Sequence, residues 1–332
     1  MMKIIKWFLL IIVLFFLVYW MGPHPTKPIY STSIPAVPSF SQLDEFIDSK
    51  EKQHHLKKNN EARIVWVNDT AKQKTAYSIV YLHGFSASQE EGNPVHRNIA
   101  KSFGCNLFLS RLSQHGIDTV DQLINLTPDN YWESAKEALA IGRQLGEKTI
   151  LMGTSTGGSL ALQLAAVFPE QVAAVILFSP NIRIKDEKAW LLNNPWGLQI
   201  ARLVLKGNDF DPADPRPIYK EYWNKPYRLE ATVSLQELLE TAMVEETFKK
   251  VNQPVLMLYY YKDEKNQDLV VSVPAMKKMF EQLSTPANLK RAIAIPGANH
   301  HAIATPICSN DVQSVEMETK KFFEQILKLK HL

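Results

Sequence analysis

Hydrophobic and polar positions follow different patterns in successive parts of the chain. From Ile4 to Met21 the residues are apolar with only Lys6 intervening, a run that fits neither a two-residue nor a 3.6-residue period and predicts a helix apolar on every face. Residues 23 to 40 hold five prolines among Ser, Thr and Lys, which excludes regular structure and predicts an extended stalk. Ser41 is then placed as the N-cap of a short helix through Gln53, with Asp44 positioned for a capping box and Leu43, Phe46 and Ile47 on one face. From Arg63 onward strands and helices alternate. Strands are expected at 64–67, 77–82, 106–109, 149–152, 173–178, 254–261 and 289–295, and helices at 96–102, 127–145, 159–166 and 312–329. Such alternation predicts an α/β fold with a mainly parallel sheet and helices on both faces. The pattern breaks between Asn181 and Val251, where Trp190, Trp196 and Trp223 lie among short helical pieces and prolines at 195, 212, 215, 217 and 226. This stretch reads as a cap inserted between two core strands, overhanging the end of the sheet where open parallel sheets bind ligands.

The N-terminal run changes the picture of where the domain sits. About eighteen apolar residues at a rise of ~1.5 Å give roughly 27 Å, near the hydrocarbon thickness, and Trp7, Tyr19 and Trp20 suit the interfacial belts. A cleaved signal peptide would end at a small-x-small site, which Tyr19-Trp20-Met21-Gly22-Pro23 does not offer. Lys3 and Lys6 precede the run, so the expectation is an uncleaved single span over residues 1–22, with the N-terminus cytoplasmic, a stalk at 23–40, and the domain 41–332 outside, periplasmic or extracellular.

Composition narrows the function classes. The 332 residues are 45% hydrophobic and 21% charged, enough for a sizeable core, and a net charge of +3 with scattered lysines gives no reason to expect nucleic acid as a partner. Two cysteines, Cys105 and Cys308, exclude a disulfide framework and a thiolate zinc cluster, while one disulfide between them stays open. His54-His55 is read as a solvated loop, since adjacent side chains point apart. No cofactor motif, Walker-type loop or H-E-x-x-H is present, so neither a cofactor nor a metal is expected.

The chemistry centres on Thr149 to Gly158, T-I-L-M-G-T-S-T-G-G. A buried strand runs into G-T-S-T-G and then a small-residue helix, the setting in which a serine is lifted clear of the sheet on a sharp turn that only Gly153 and Gly157 can line. Ser155 is the candidate nucleophile. An oxyanion formed on its substrate needs two backbone N–H donors, and these are expected from Thr156, which follows it, and from Phe85 in the early turn His83-Gly84-Phe85. His83 itself is read as a turn residue. The orienting acid is sought after the strand 254–261, and Asp268 is preferred over Asp263 and Glu264 because Leu269-Val270-Val271 would anchor it. The base is sought in Gly297-Ala298-Asn299-His300-His301, with His300 preferred to His301.

His83-Gly84, Gly153 to Gly157, Asp268 and Gly297 to His300, in this order, resemble the α/β-hydrolase superfamily from Arg63 to the C-terminus. Ser110 to Gly116 is similar to the R-L-x-G-H-G segment of the monoglyceride lipase and bacterial carboxylesterase branch, with Gln114 where that branch has glycine. The resemblance implies a serine hydrolase acting on small-molecule or lipid esters through an acyl-serine. Two other readings remain: a serine aminopeptidase of the same fold, for which Glu240, Glu245 and Glu246 in the cap are candidate amine-holding carboxylates, and an anchored protein that binds a ligand without turnover.

Overall fold

In the computed structural model, which describes residues 2–212 and 214–332 with side chains from residue 4 onward, the expected strands assemble into one sheet. They are β1 (Arg63–Val65), β2 (Thr75–Leu82), β3 (Asn106–Leu109), β4 (Gly146–Thr154), β5 (Ala174–Phe178), β8 (Val255–Tyr259) and β9 (Lys290–Ala294), in the order β1-β3-β2-β4-β5-β8-β9. Only β1 runs antiparallel to its neighbour. The central strands read as unbroken apolar runs because both faces are covered. Ile79 and Tyr81 of β2 and Ile150 and Met152 of β4 enter one core, with α3 (Val95–Ser102) and α11 (Val312–Gln325) packed there. Val80, Leu82 and Leu151 enter the other, beneath α4 (Pro128–Leu145), α5 (Thr156–Val167) and α10 (Val273–Gln282). Thr127 caps α4 in a reciprocal box with Asn130.

Between β5 and β8, which are neighbours in the sheet, the chain makes its excursion into the cap. The cap holds α6 (Gly197–Leu205), α7 (Pro217–Tyr222), α8 (Leu229–Ala242) and α9 (Glu245–Phe248). It also contains a two-stranded ribbon that the sequence pattern did not suggest, β6 (Asp209–Phe210) with β7 (Tyr227–Arg228), whose strands are too short to show alternation. Of the three tryptophans, Trp223 is buried and stacked on Tyr219 at 4.4 Å, Trp190 is exposed, and Trp196 turns toward the N-terminal helix.

Two expectations for the N-terminal part need correction, and a third finds no support. A helix does form, α1 (Met2–Trp20), but among the described residues no helix is long and apolar enough to cross a membrane. The proline-rich segment is not a free stalk but a strap along α4. Asp129 accepts from Ile29 N, Trp132 Nε1 donates to Ser31 O, and the buried Lys136 ammonium donates to Ser33 O. Prolines leave carbonyls without a ladder, and α4 supplies the donors. Finally, Ser41 is no cap: α2 (Leu43–Glu51) is preceded by a 3-10 turn over Phe40–Gln42, and no side chain caps its N-terminus. Cys105 and Cys308 are both free.

Candidate active site

At the elbow, Ser155 has φ 53° and ψ −121°, between the end of β4 and the first turn of α5. Steric room permits this only without side chains on either side. A Cβ on Gly153 would stand 2.4 Å from Gly157 O, and one on Gly157 would stand 2.0 Å from Leu82 O and 2.6 Å from His83 O. The same contacts bring the first turn of α5 against the His83-Gly84 turn at the end of β2. The strained serine is held from both sides, since Ser155 N donates to Phe178 O at 2.9 Å and Asn181 N donates to Ser155 O at 2.9 Å. Its side chain is covered, with the residue 5% exposed.

The early turn is fixed by its histidine. His83 Nδ1–H donates to Gly84 O at 2.9 Å and His83 Nε2 accepts from Leu112 N at 3.0 Å, so both ring nitrogens are engaged, and burial lowers its pKa to about 4. Ser86 N donates to His115 Nε2, which ties the turn to the Ser110–Gly116 segment. The N–H groups of Phe85 and Thr156 have no backbone acceptor outside regular structure among the described residues.

Asp268 is fully buried, and its Oδ1 accepts from Val270 N at 2.8 Å and Val271 N at 3.0 Å. Asp268 lies in the loop after β8, but the anchoring expected from Leu269-Val270-Val271 is not what holds it. Leu269 is 79% exposed and Val270 49%, so backbone donors and the buried Val271, not a packed apolar triplet, aim the carboxylate. Asp263 lies in an exposed loop and accepts from Lys265 N and Asn266 N.

The histidine that Asp268 meets is His301, with Nδ1 2.6 Å from Asp268 Oδ2. This corrects the expectation for His300, whose Nδ1 instead accepts from Ala302 N at 3.0 Å. Asn299 takes the left-handed conformation, φ 52°, just before the two histidines, and the second of them faces Asp268. Burial opposes a proton on His301, but the Asp268 carboxylate more than offsets it and raises the pKa above the ordinary 6.5. His300 moves the other way, to about 4, through burial and the charge of its neighbour. His301 Nε2 is buried and has no hydrogen-bond partner among the described residues. Nδ1 bound to a carboxylate with Nε2 free is the arrangement in which neutral imidazole can accept a hydroxyl proton and stabilise the resulting cation.

Sequence reasoning missed Glu91. It is buried, its Oε2 accepts from Gly84 N at 2.6 Å, and burial lifts its pKa to about 7 against the opposing effects of that bond and of His301. Gln89-Glu90-Glu91 reads as a solvated polar run, and nothing in its spacing marks the last carboxyl as internal. A cavity of about 300 Å³ between α2 and α4, lined by Lys50, Glu51, Arg111 and Glu137 among others, does not include Ser155.

A strand-turn-helix serine in a mainly parallel sheet with helices on both faces defines an α/β-hydrolase fold. The family model described as serine aminopeptidase, S33 (Hydrolase_4), matches residues 129–306, more than half of the chain, and the chain belongs to this family. No curated protein matches the chain in sequence. Among solved structures the fold is similar to one described under LipS and LipT, two metagenome-derived lipolytic enzymes, with TM-score 0.63 and 15% identity over 81% of this chain and 99% of that one. It is also similar to a monoacylglycerol lipase of Paleococcus ferrophilus, with TM-score 0.58 and 15% identity over 79% and 96% of the two chains. A third is Est1E of Butyrivibrio proteoclasticus with ferulic acid bound, with TM-score 0.56 and 17% identity over 81% and 95%. These likenesses concern the fold.

Proposed function

We propose that the chain is a serine hydrolase cleaving carboxylic esters, with Ser155 as nucleophile, His301 as general base and Asp268 as the acid that orients it. The observation that carries the reading is the Asp268–His301 contact at 2.6 Å with Nε2 unpartnered among the described residues, taken together with a serine on a strained elbow. His301 takes the Ser155 proton as Oγ attacks the ester carbonyl, and the N–H groups of Phe85 and Thr156 take up the oxyanion. Collapse expels the alcohol with that proton, and a water activated by His301 then releases the acid. No cofactor or metal is needed for these steps.

The lipolytic and esterase neighbours favour an ester substrate. For the acyl group we look to the cap, where Tyr227 sits edge-on to Phe85 at 5.0 Å and is buried. Each added methylene is expected to raise kcat/KM about fourfold until the site is full, at ~0.8 kcal/mol per buried methylene. Flat activity from acetyl to octanoyl esters would remove the cap from the reading. The test of the chemistry is a fluorophosphonate probe: Ser155 is expected to be labelled, and Ser155→Ala to lose both labelling and ester turnover. Labelling at another serine refutes the assignment.

The aminopeptidase reading draws support from the description of the family model. Its candidate amine-holding carboxylates are unsuited, however: Glu240, Glu245 and Glu246 are all exposed, and Glu245 pairs with Lys249. Turnover of amino-acyl amides faster than esters would reverse the preference. The binding-protein reading requires an inert Ser155 and fails if the probe labels it.

For location we propose that α1 holds the chain at a membrane, N-terminus cytoplasmic and catalytic domain outside. Support comes from Lys3 and Lys6 before the apolar run and from the exposure of Phe8, Leu10, Leu14 and Phe15, which the fold leaves uncovered. Alkaline carbonate is expected to leave the protein in the membrane fraction, and external protease to digest the domain in intact cells. A protected domain would overturn the orientation.

A further inference from the structure

Glu91 is a buried carboxyl beside Ser155 that acyl transfer through Ser155, His301 and Asp268 does not use. It sits in a 3-10 turn, Gln89–Gly92, whose start is capped by Ser88. Its position relative to the nucleophile is fixed by one glycine. A Cβ on Gly84 would stand 2.9 Å from Glu91 Oε2, 3.0 Å from Glu91 Oε1 and 2.9 Å from Ser155 Cβ. Acid and nucleophile therefore flank the space that Gly84 leaves free.

The hydrogen bonds around Gly84 say what the acid does there. The Gly84 carbonyl and the Phe85 N–H belong to one planar peptide unit. That unit is held through its carbonyl, which accepts from His83 Nδ1–H and from Ala87 N. The preceding unit is held through Gly84 N–H, which donates to Glu91 Oε2 at 2.6 Å. Glycine has no side chain to limit the rotation between two such units, so the direction of Phe85 N–H depends on both being pinned. A donor to an oxyanion is effective only when already aimed, since reorganising it during the reaction costs the stabilisation it provides.

We propose that Glu91 is a positioning residue for the oxyanion hole: by accepting the Gly84 N–H it fixes the His83–Gly84 peptide and so the aim of the Phe85 N–H. The proposal rests on the reading of Phe85 as a hole donor in a serine hydrolase. Burial favours the neutral acid, which still has a carbonyl oxygen to accept this bond.

The test uses the full chain, a p-nitrophenyl butyrate assay, and rates expressed per site labelled by a fluorophosphonate, which corrects for misfolded protein. Glu91→Asp, one methylene shorter, withdraws the acceptor, and Glu91→Ala removes it. Both are expected to lower kcat by about ten- to a hundredfold with KM within about twofold, because the hole acts on the transition state and not on bound ester. Glu91→Gln keeps an acceptor of the same reach and is expected to restore kcat to within about threefold of the parent. Equal kcat for the Asp and Gln variants, or a loss carried by KM alone, overturns the proposal, and the Asp–Gln pair decides if the Ala variant does not fold. The functional reading fails separately, if Ser155→Ala retains turnover; a parent-like kcat in Glu91→Asp with a dead Ser155→Ala removes the positioning role and leaves the triad.

Discussion

Ser155 stands on a run of consecutive residues, whereas Asp268 and His301 come from loops after two different strands and meet across 33 positions of sequence. The elbow is enforced by exclusion: a side chain at Gly157 would stand 2.0 Å from the backbone of β2, so the chain has one way to pass from β4 to α5. Asp268 and His301 are held by attraction instead, through two backbone N–H groups on Asp268 and one bond between Asp268 and the imidazole. Steric exclusion leaves a local mark in the sequence because only glycine satisfies it. Hydrogen bonds between loops leave little, because many residues can supply a backbone donor.

The largest effect expected separates the two histidines. His301→Ala is expected to lower kcat by about 10⁶-fold, as removal of a catalytic base does in a serine triad, while His300→Ala stays within about fivefold of the parent. If the two exchange roles, the bond seen from His301 to Asp268 is not the one used in turnover, and the loop is less fixed than the elbow.

Next comes the acid. Asp268→Asn is expected to cost about 10⁴-fold in kcat with the fold intact, since the amide favours the wrong imidazole tautomer. Asp263→Asn, in its exposed loop, is expected to change kcat less than about threefold. Steady-state kinetics on both, with circular dichroism to check folding, decides whether the carboxylate held by Val270 and Val271 is the working one.

Gly157→Ala tests exclusion directly. The added methyl meets backbone, which cannot swing aside, so β2 and α5 must separate at a cost of about 3 kcal/mol. Denaturant unfolding measures it, and a variant as stable as the parent would mean that the close approach is not what shapes the elbow.

The smallest effect is in pH. Asp268 raises the pKa of His301 above 6.5, and only neutral imidazole accepts the serine proton. Below that raised pKa, kcat/KM is expected to fall tenfold per pH unit, and the midpoint is expected to move down in Asp268→Asn, where the stabilising charge is gone. An unshifted midpoint would assign the acid limb to another group.

The sequence by itself determined the sheet and the elbow. Strands buried on both faces must be continuous apolar runs, and the steric demands around Ser155 admit glycine alone at 153 and 157. It also pointed to Asp268 as the candidate acid, because Asp268 follows β8 and leads into Val271, which is buried. Tertiary structure decided which of His300 and His301 faces Asp268, since adjacent residues point opposite ways and Asn299 takes the left-handed conformation just before them. It likewise decided that the proline-rich segment lies against α4, where donors on Trp132 and Lys136 take its free carbonyls, and that Glu91 is internal. A polar run carries no period that tells an exposed carboxyl from one closed in by a turn 7 residues away. Contacts between distant segments supply that difference, and they exist only once the chain has folded.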